Sequence, residues 1–189
     1  MTKPVYRYPD FIASISLEKT DSKRYWLKLI FDESKKETVA VVLKNPSRAN
    51  KEISDKTVYN VSSYIYRNRD KYSEFKDVGT IVILNLIPYY QTYSDQLEPL
   101  KNEIIDPENL SVIKRFTSQC KNVIIAYGNH PKGLFSEYET LKKGIMNVLS
   151  ENNNKVLYVD KMSLAGNPKH GQVWGYKDPL RILNIHLCQ

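Results

Sequence analysis

Residues 39–50 read VAVVLKNPSRAN, an apolar run rich in valine that stops at Asn45-Pro46-Ser47. Val39 to Leu43 has no polar face, so it suits a strand covered on both sides, as in a parallel sheet. A simple turn does not require Asn-Pro-Ser after such a strand. In open α/β sheets, however, the loops beyond the C-terminal strand ends hold the ligand. Asn45 therefore belongs either to a turn, where Asn before Pro is ordinary chemistry, or to a site.

Three further runs repeat the pattern: GTIVILNLIP at 79–88, NVIIAYG at 122–128 and NNKVLYV at 153–159. Helical stretches separate them. SDKTVYNVSSYIYRNRDKY (54–72) places Val58, Val61 and Ile65 at near-helical spacing behind a Ser54 or Asp55 cap. DPENLSVIKRFTSQC (106–120) offers Asp106 as cap and Pro107 at the first helical position. LFSEYETLKKGIMNVLSEN (134–152) is a third helix. FIASISL and RYWLKLIF, joined by the polar EKTDSK, suit an N-terminal hairpin. LAGNPKHGQVWGYKDP (164–179) reads as a long loop, and loops of that length are commonly functional or disordered. The expectation is one α/β domain over residues 1–189. It has three layers, α/β/α, around a central, mostly parallel four-stranded sheet with antiparallel edge strands from the N-terminus.

Composition narrows the partners. Lys and Arg number 28 against 21 Asp and Glu, a net charge of +7, which suits a polyanion such as nucleic acid and equally suits plain solubility. Fourteen tyrosines offer rings able to lie on a base. Two cysteines, Cys120 and Cys188, cannot build a four-thiolate centre. No apolar signal core opens the chain and no run reaches the roughly 20 residues of a membrane span, so a cytoplasmic protein with no membrane partner is expected. GxxxxGK[ST], GxGxxG after the first strand, GxSxG and metal-spaced histidines are all absent, which leaves ATP hydrolysis, hydride transfer and zinc chemistry without support.

What remains is a set of polar residues at the ends of apolar strands: Asn45, Asn85, Tyr127-Gly128 with His130 beside it, and His170. Asn85 is the oddest, because an amide inside VILNLIP must be hydrogen-bonded to be tolerated. It ties down a neighbouring loop or it meets a ligand. Likewise, His170 is either a surface-loop residue or part of a site. Amides with one or two histidines suit binding a polar planar ring, or stabilising a leaving group that departs as an anion.

The order of these motifs resembles the uracil-DNA glycosylase superfamily. LKNPS at Asn45-Pro46 is similar to its first motif, VILNLIP at Asn85 to its base-reading strand, IIAYG to its Trp-Gly strand end, and NPKHGQ at His170 to its His-Pro-Ser loop. The chain resembles more closely a bacterial and phage family catalogued as domain of unknown function 1643. Its pattern is matched by Asn45-Pro46-Ser47-Arg48-Ala49, Asp55-Lys56-Thr57, Asn85-Leu86-Ile87-Pro88 and Gly166-Asn167-Pro168-Lys169-His170. Lys44 stands where the glycosylase motif has a small residue, Tyr127 replaces Trp, Gly171 replaces the Pro after His, and the DNA-wedging Ser-Pro-Leu is missing.

The resemblance implies a monomeric DNA N-glycosylase of base-excision repair on a uracil-DNA glycosylase-like fold, carried by a mobile genetic element. It needs neither metal nor cofactor. Its substrate is uracil in single- or double-stranded DNA, and an acidic, DNA-mimicking inhibitor protein is a further implied partner. Asn45 and His170 fall on catalytic positions, the first placing water and the second meeting charge on uracil O2. Asp55 is a carboxylate substitute or merely a helix cap. Asn85, Pro46 and Tyr89 would bind the base, with Tyr90 and Trp174 as other stacking candidates. Lys44, Ser47, Arg48, Lys51 and Lys169 would hold DNA. The alternative is a non-catalytic module binding nucleic acid or a nucleotide on the same fold. A nucleoside-processing N-glycosidase is a third reading, disfavoured by the basic surplus.

Overall fold

The computed structural model describes residues 6–185, leaving aside the side chains of 94 and 95. Seven strands form one mixed sheet: β1 (Ser14–Lys19), β2 (Arg24–Ile30), β3 (Glu37–Leu43), β4 (Val78–Asn85), β5 (Asn122–Ile125), β6 (Lys155–Val159) and β7 (Leu180–Leu183). Their order across the sheet is β1-β2-β4-β3-β5-β6-β7. β3 pairs parallel with both β4 and β5, and β5 with β6; β1, β2 and β7 join antiparallel. The sheet is thus larger than the sequence reading, and β7 corrects it: LRIL follows directly on the Gly- and Pro-rich loop at 164–179, where the sequence suggests no further strand.

Three α-helices cover the sheet: α1 (Lys56–Arg67), α2 (Pro107–Thr117) and α3 (Phe135–Glu151). Period-two alternation along the central strands divides the core between its two faces. Val39, Val41, Ile81 and Ile83 pack with Val58, Val61, Tyr64 and Ile65 of α1. Ala40, Val42, Val82 and Leu84 pack with Ile113 of α2 and Tyr138, Ile145 and Leu149 of α3. Both capping signals hold. Asp55 accepts from the Val58 N–H, and Asp106 accepts from Glu108 and Asn109 with Pro107 at the first position. Short 3-10 turns occupy Ser94–Leu100 and Gly171–Val173. No helix among the described residues is long and apolar enough to cross a membrane.

The parallel pairing brings the C-terminal ends of β3, β4, β5 and β6 to one edge. The loops leaving that edge carry residues 44–55, 86–93, 126–134 and 160–170.

Candidate functional site

A cavity of about 570 Å³ opens at this edge. Lys44, Asn45, Ser47 and Arg48 line it from the β3 loop, Asp55, Lys56 and Thr57 from the start of α1, and His170 with Gln172 from the last loop. Gln91, Thr92 and Tyr6 complete much of the rim. Six predicted residues, Lys44, Asn45, Ser47, Arg48, Asp55 and His170, thus share one cavity. Pro46 is buried beside it, and its carbonyl accepts from the Gln91 N–H at 2.9 Å.

Asn45 ties the loop together and also lines the cavity. Its Nδ2 donates to the Gln91 carbonyl at 2.7 Å and to the Pro46 carbonyl at 3.0 Å, pinning the β3 loop to the β4 loop. Its Oδ1 remains as the acceptor that a ligand or water can use.

His170 sits where the loop after β5 permits. Gly128 has φ +67°, and a Cβ there would stand 3.0 Å from the His170 Cβ, so glycine answers both the left-handed conformation and the close approach. The His170 Nδ1 accepts from the Gln172 N–H at 3.2 Å. Burial and the Lys44 ammonium lower the ring's pKa to about 4. The neutral ring that results carries its proton on Nε2, a hydrogen-bond donor without charge. Burial likewise pulls the Lys44 pKa down. Asp55 caps α1 through Oδ1, and Oδ2 makes only a long 3.4 Å contact with the Ala49 N–H.

The remaining predicted residues lie elsewhere. Asn85 is completely buried and does not line the cavity. It pairs in register with Leu43 on the neighbouring strand, and neither its Nδ2 nor its Oδ1 has a hydrogen-bond partner among the described residues. Tyr89 is buried with its hydroxyl donating to Glu103, and Trp174 is buried with its indole N–H donating to the Lys169 carbonyl, so neither offers a free face. Lys169 is held between Asp160 at 2.9 Å and Asp178 at 2.7 Å, which corrects its reading as a cation waiting for phosphate. Lys51 is exposed and lies outside this cavity, lining instead a separate open depression with Glu18, Lys19 and Trp26. His130 is exposed, with Nδ1 against the Pro131 carbonyl and its ring edge-on to Phe135.

Gly171 explains why no proline follows His170. A Cβ at 171 would fall 2.7 Å from Val61 Cγ2 and 3.2 Å from Leu43 Cδ2, so the last loop rests directly on α1 and β3. Tyr6 and Arg24 escaped the sequence reading. Tyr6 stands far from every motif, and Arg24 opens the strand RYWLKLIF with no local sign that it is buried.

A family model described as "Protein of unknown function (DUF1643)" matches residues 24–171. The chain belongs to that family. The matched stretch contains every cavity-lining residue except Tyr6, Gln172 and Val173. No curated protein and no solved structure matches the chain. Among the described residues no group of three or more His, Cys, Asp or Glu side chains is placed to hold a metal ion.

Proposed function

We propose that this protein hydrolyses the N-glycosidic bond of uracil in DNA, on a fold of uracil-DNA glycosylase type whose core is the run of parallel strands β4-β3-β5-β6. The observation that carries this reading is the convergence of Asn45, Asp55 and a neutral His170 in one cavity large enough for a nucleotide. Uracil inside a duplex is unreachable, so the substrate is single-stranded or the nucleotide is flipped out.

As the bond between C1′ and N1 breaks, its electron pair stays on uracil and the sugar becomes oxocarbenium-like. The His170 Nε2–H donates to O2, where the charge gathers, without first giving up a proton. Water held by Asn45 Oδ1 and Asp55 Oδ2 adds to C1′ and loses a proton to the carboxylate or to solvent. Lys44, Arg48 and Lys56, none of which forms an ion pair among the described residues, attract the phosphates. The enclosed Asn85 amide reads the ring only if the packing that separates it from the cavity yields on binding. That position favours the second reading, a module that binds nucleic acid or a nucleotide without chemistry.

Incubation with uracil-containing single- and double-stranded oligonucleotides, followed by alkaline cleavage at abasic sites, separates the two. Wild-type protein is expected to leave abasic sites, and His170→Ala to slow single-turnover excision more than it weakens binding. Binding of the oligonucleotide with every uracil left in place would replace the enzyme by the module.

A further inference from the structure

Arg24 is only 1 % exposed, an unusual place for a guanidinium. It arrives there through a bulge in the N-terminal hairpin. Between the pairs Glu18↔Trp26 and Lys19↔Arg24, β1 advances one residue and β2 two, so Tyr25 is the extra residue. The bulge exchanges the faces of its neighbours. Tyr25 joins Trp26 on the side of α2, where its hydroxyl donates to Glu108 at 2.7 Å. Arg24 turns instead to the face of α1 and the cavity loop.

There its Nη1 donates to the Ala49 carbonyl at 3.1 Å. The N–H of the same residue, Ala49, points at Asp55 Oδ2. One peptide-flanked alanine is thus bracketed by the buried cation on one side and the cavity carboxylate on the other. Tyr8 adds to the clamp, its hydroxyl donating to the Asn50 carbonyl at 2.6 Å. Burial opposes the charge on Arg24, and Asp55 is the group that most favours it. Among the described residues the Arg24 Nε has no partner, so the Ala49 carbonyl is the hydrogen-bond acceptor that anchors the guanidinium.

We infer that Arg24 is a positioning residue: through Ala49 it sets the loop carrying Ser47 and Arg48 and fixes the Asp55 carboxylate at the cavity. This rests on the glycosylase reading only for its effect on turnover. Its effect on the loop stands apart. A lysine keeps the charge but lacks the planar fork, so Arg24→Lys is the informative substitution, and an ammonium retains a buried cation facing Asp55.

The test pairs Arg24→Lys with Asp55→Asn, which keeps a good cap but not the charge. Amide hydrogen exchange is followed at Ala49 and Val58, with β5 and β6 as internal controls. Exchange at Ala49 and Val58 is expected to quicken on the order of 10-fold in Arg24→Lys while the controls stay unchanged, as for local opening. Single-turnover excision is expected to fall about 10- to 100-fold with little change in affinity for single-stranded DNA. The double variant is expected to be no slower than the worse single one, because the two groups act through one alanine. Unchanged exchange at Ala49 and Val58, or additive losses in rate, would overturn the assignment. Absence of excision by the wild type would instead sink the enzyme reading and leave the exchange result to decide the role of Arg24. If Arg24→Lys fails to fold, Tyr8→Phe removes the neighbouring clamp at Asn50 alone. Faster exchange at Ala49 then supports the clamped loop, and no change refutes it.

Discussion

At His170, burial and the Lys44 ammonium oppose a second ring proton, and the ring's pKa falls to about 4 from its ordinary 6.5. The unfolded chain takes up that proton near the ordinary value. Between the two, the unfolded state binds more protons than the folded one, so stability falls as pH drops through this window and stays lower beneath it. The difference amounts to at most about 3–4 kcal/mol at 1.36 kcal/mol per pKa unit. Urea midpoints of the wild type are expected to fall from pH 6.5 to 4 more steeply than those of His170→Asn, and parallel declines would assign the effect to other groups. Asn85 presents the opposite situation, an amide whose two polar atoms are buried and have no partner among the described residues. Replacing it by Leu, similar in size and free of polar atoms, is expected to raise stability by about 1 kcal/mol or more in urea unfolding. The same substitution is expected to abolish uracil excision if the amide meets the base during binding. A less stable Asn85→Leu would show that the amide has a partner in solution. Both residues were visible in the sequence as polar breaks after apolar strands. Arg24 was not, because nothing local distinguishes a buried arginine at a strand start from an exposed one. Its burial depends on a bulge fixed by pairing between strands.

Elements with strong internal signals were legible: β3 to β6 from their apolar runs, and α1 and α2 from Asp55 and from Asp106-Pro107. β7 was not, since its four residues carry no long apolar run and Ile182 is exposed rather than buried. Its strand character comes from pairing with β6, a tertiary cause that local sequence does not record. The 3-10 turn at Gly171–Val173 is similar. Its position is dictated by contact with α1, where Asn60 Nδ2 donates to the Gln172 carbonyl at 2.6 Å. This contact makes Gly171→Ala a sensitive probe. The added methyl meets Val61 Cγ2, a short branched side chain on a helix with little room to move. A loss of about 1–3 kcal/mol is expected from thermal or urea unfolding, the usual range for overpacking. Adding Val61→Ala should recover part of that loss by opening the space. Equal losses in the single and double variants would mean that the turn rests on the helix less closely than the contact implies.

Over the whole molecule, the +7 charge left open whether the surplus serves a partner or solubility. The fold distributes it unevenly. Lys169, Lys155 and Lys23 are bound to carboxylates within 3 Å, whereas Lys44, Arg48 and Lys56 at the cavity have none among the described residues. Sequence proximity to a motif could not separate these two groups, because Lys169 lies directly beside His170 and yet points to Asp160 and Asp178. On the DNA-binding reading proposed above, the free group is the one that would release counterions. Three or four phosphate contacts to a single strand correspond to a slope of about −2 to −3 in a plot of log affinity against log salt. Arg48→Gln is expected to reduce that slope by about 0.7, one contact's share, with a uniform loss of affinity across sequences. Lys169→Gln is expected to leave the slope unchanged and to lower stability instead, since it breaks an ion-pair cluster rather than a DNA contact. Filter-binding or anisotropy titrations at several salt concentrations measure both variants. A slope near zero for the wild type, or a loss of slope at Lys169 and not at Arg48, would place any polyanion on a different surface from the cavity.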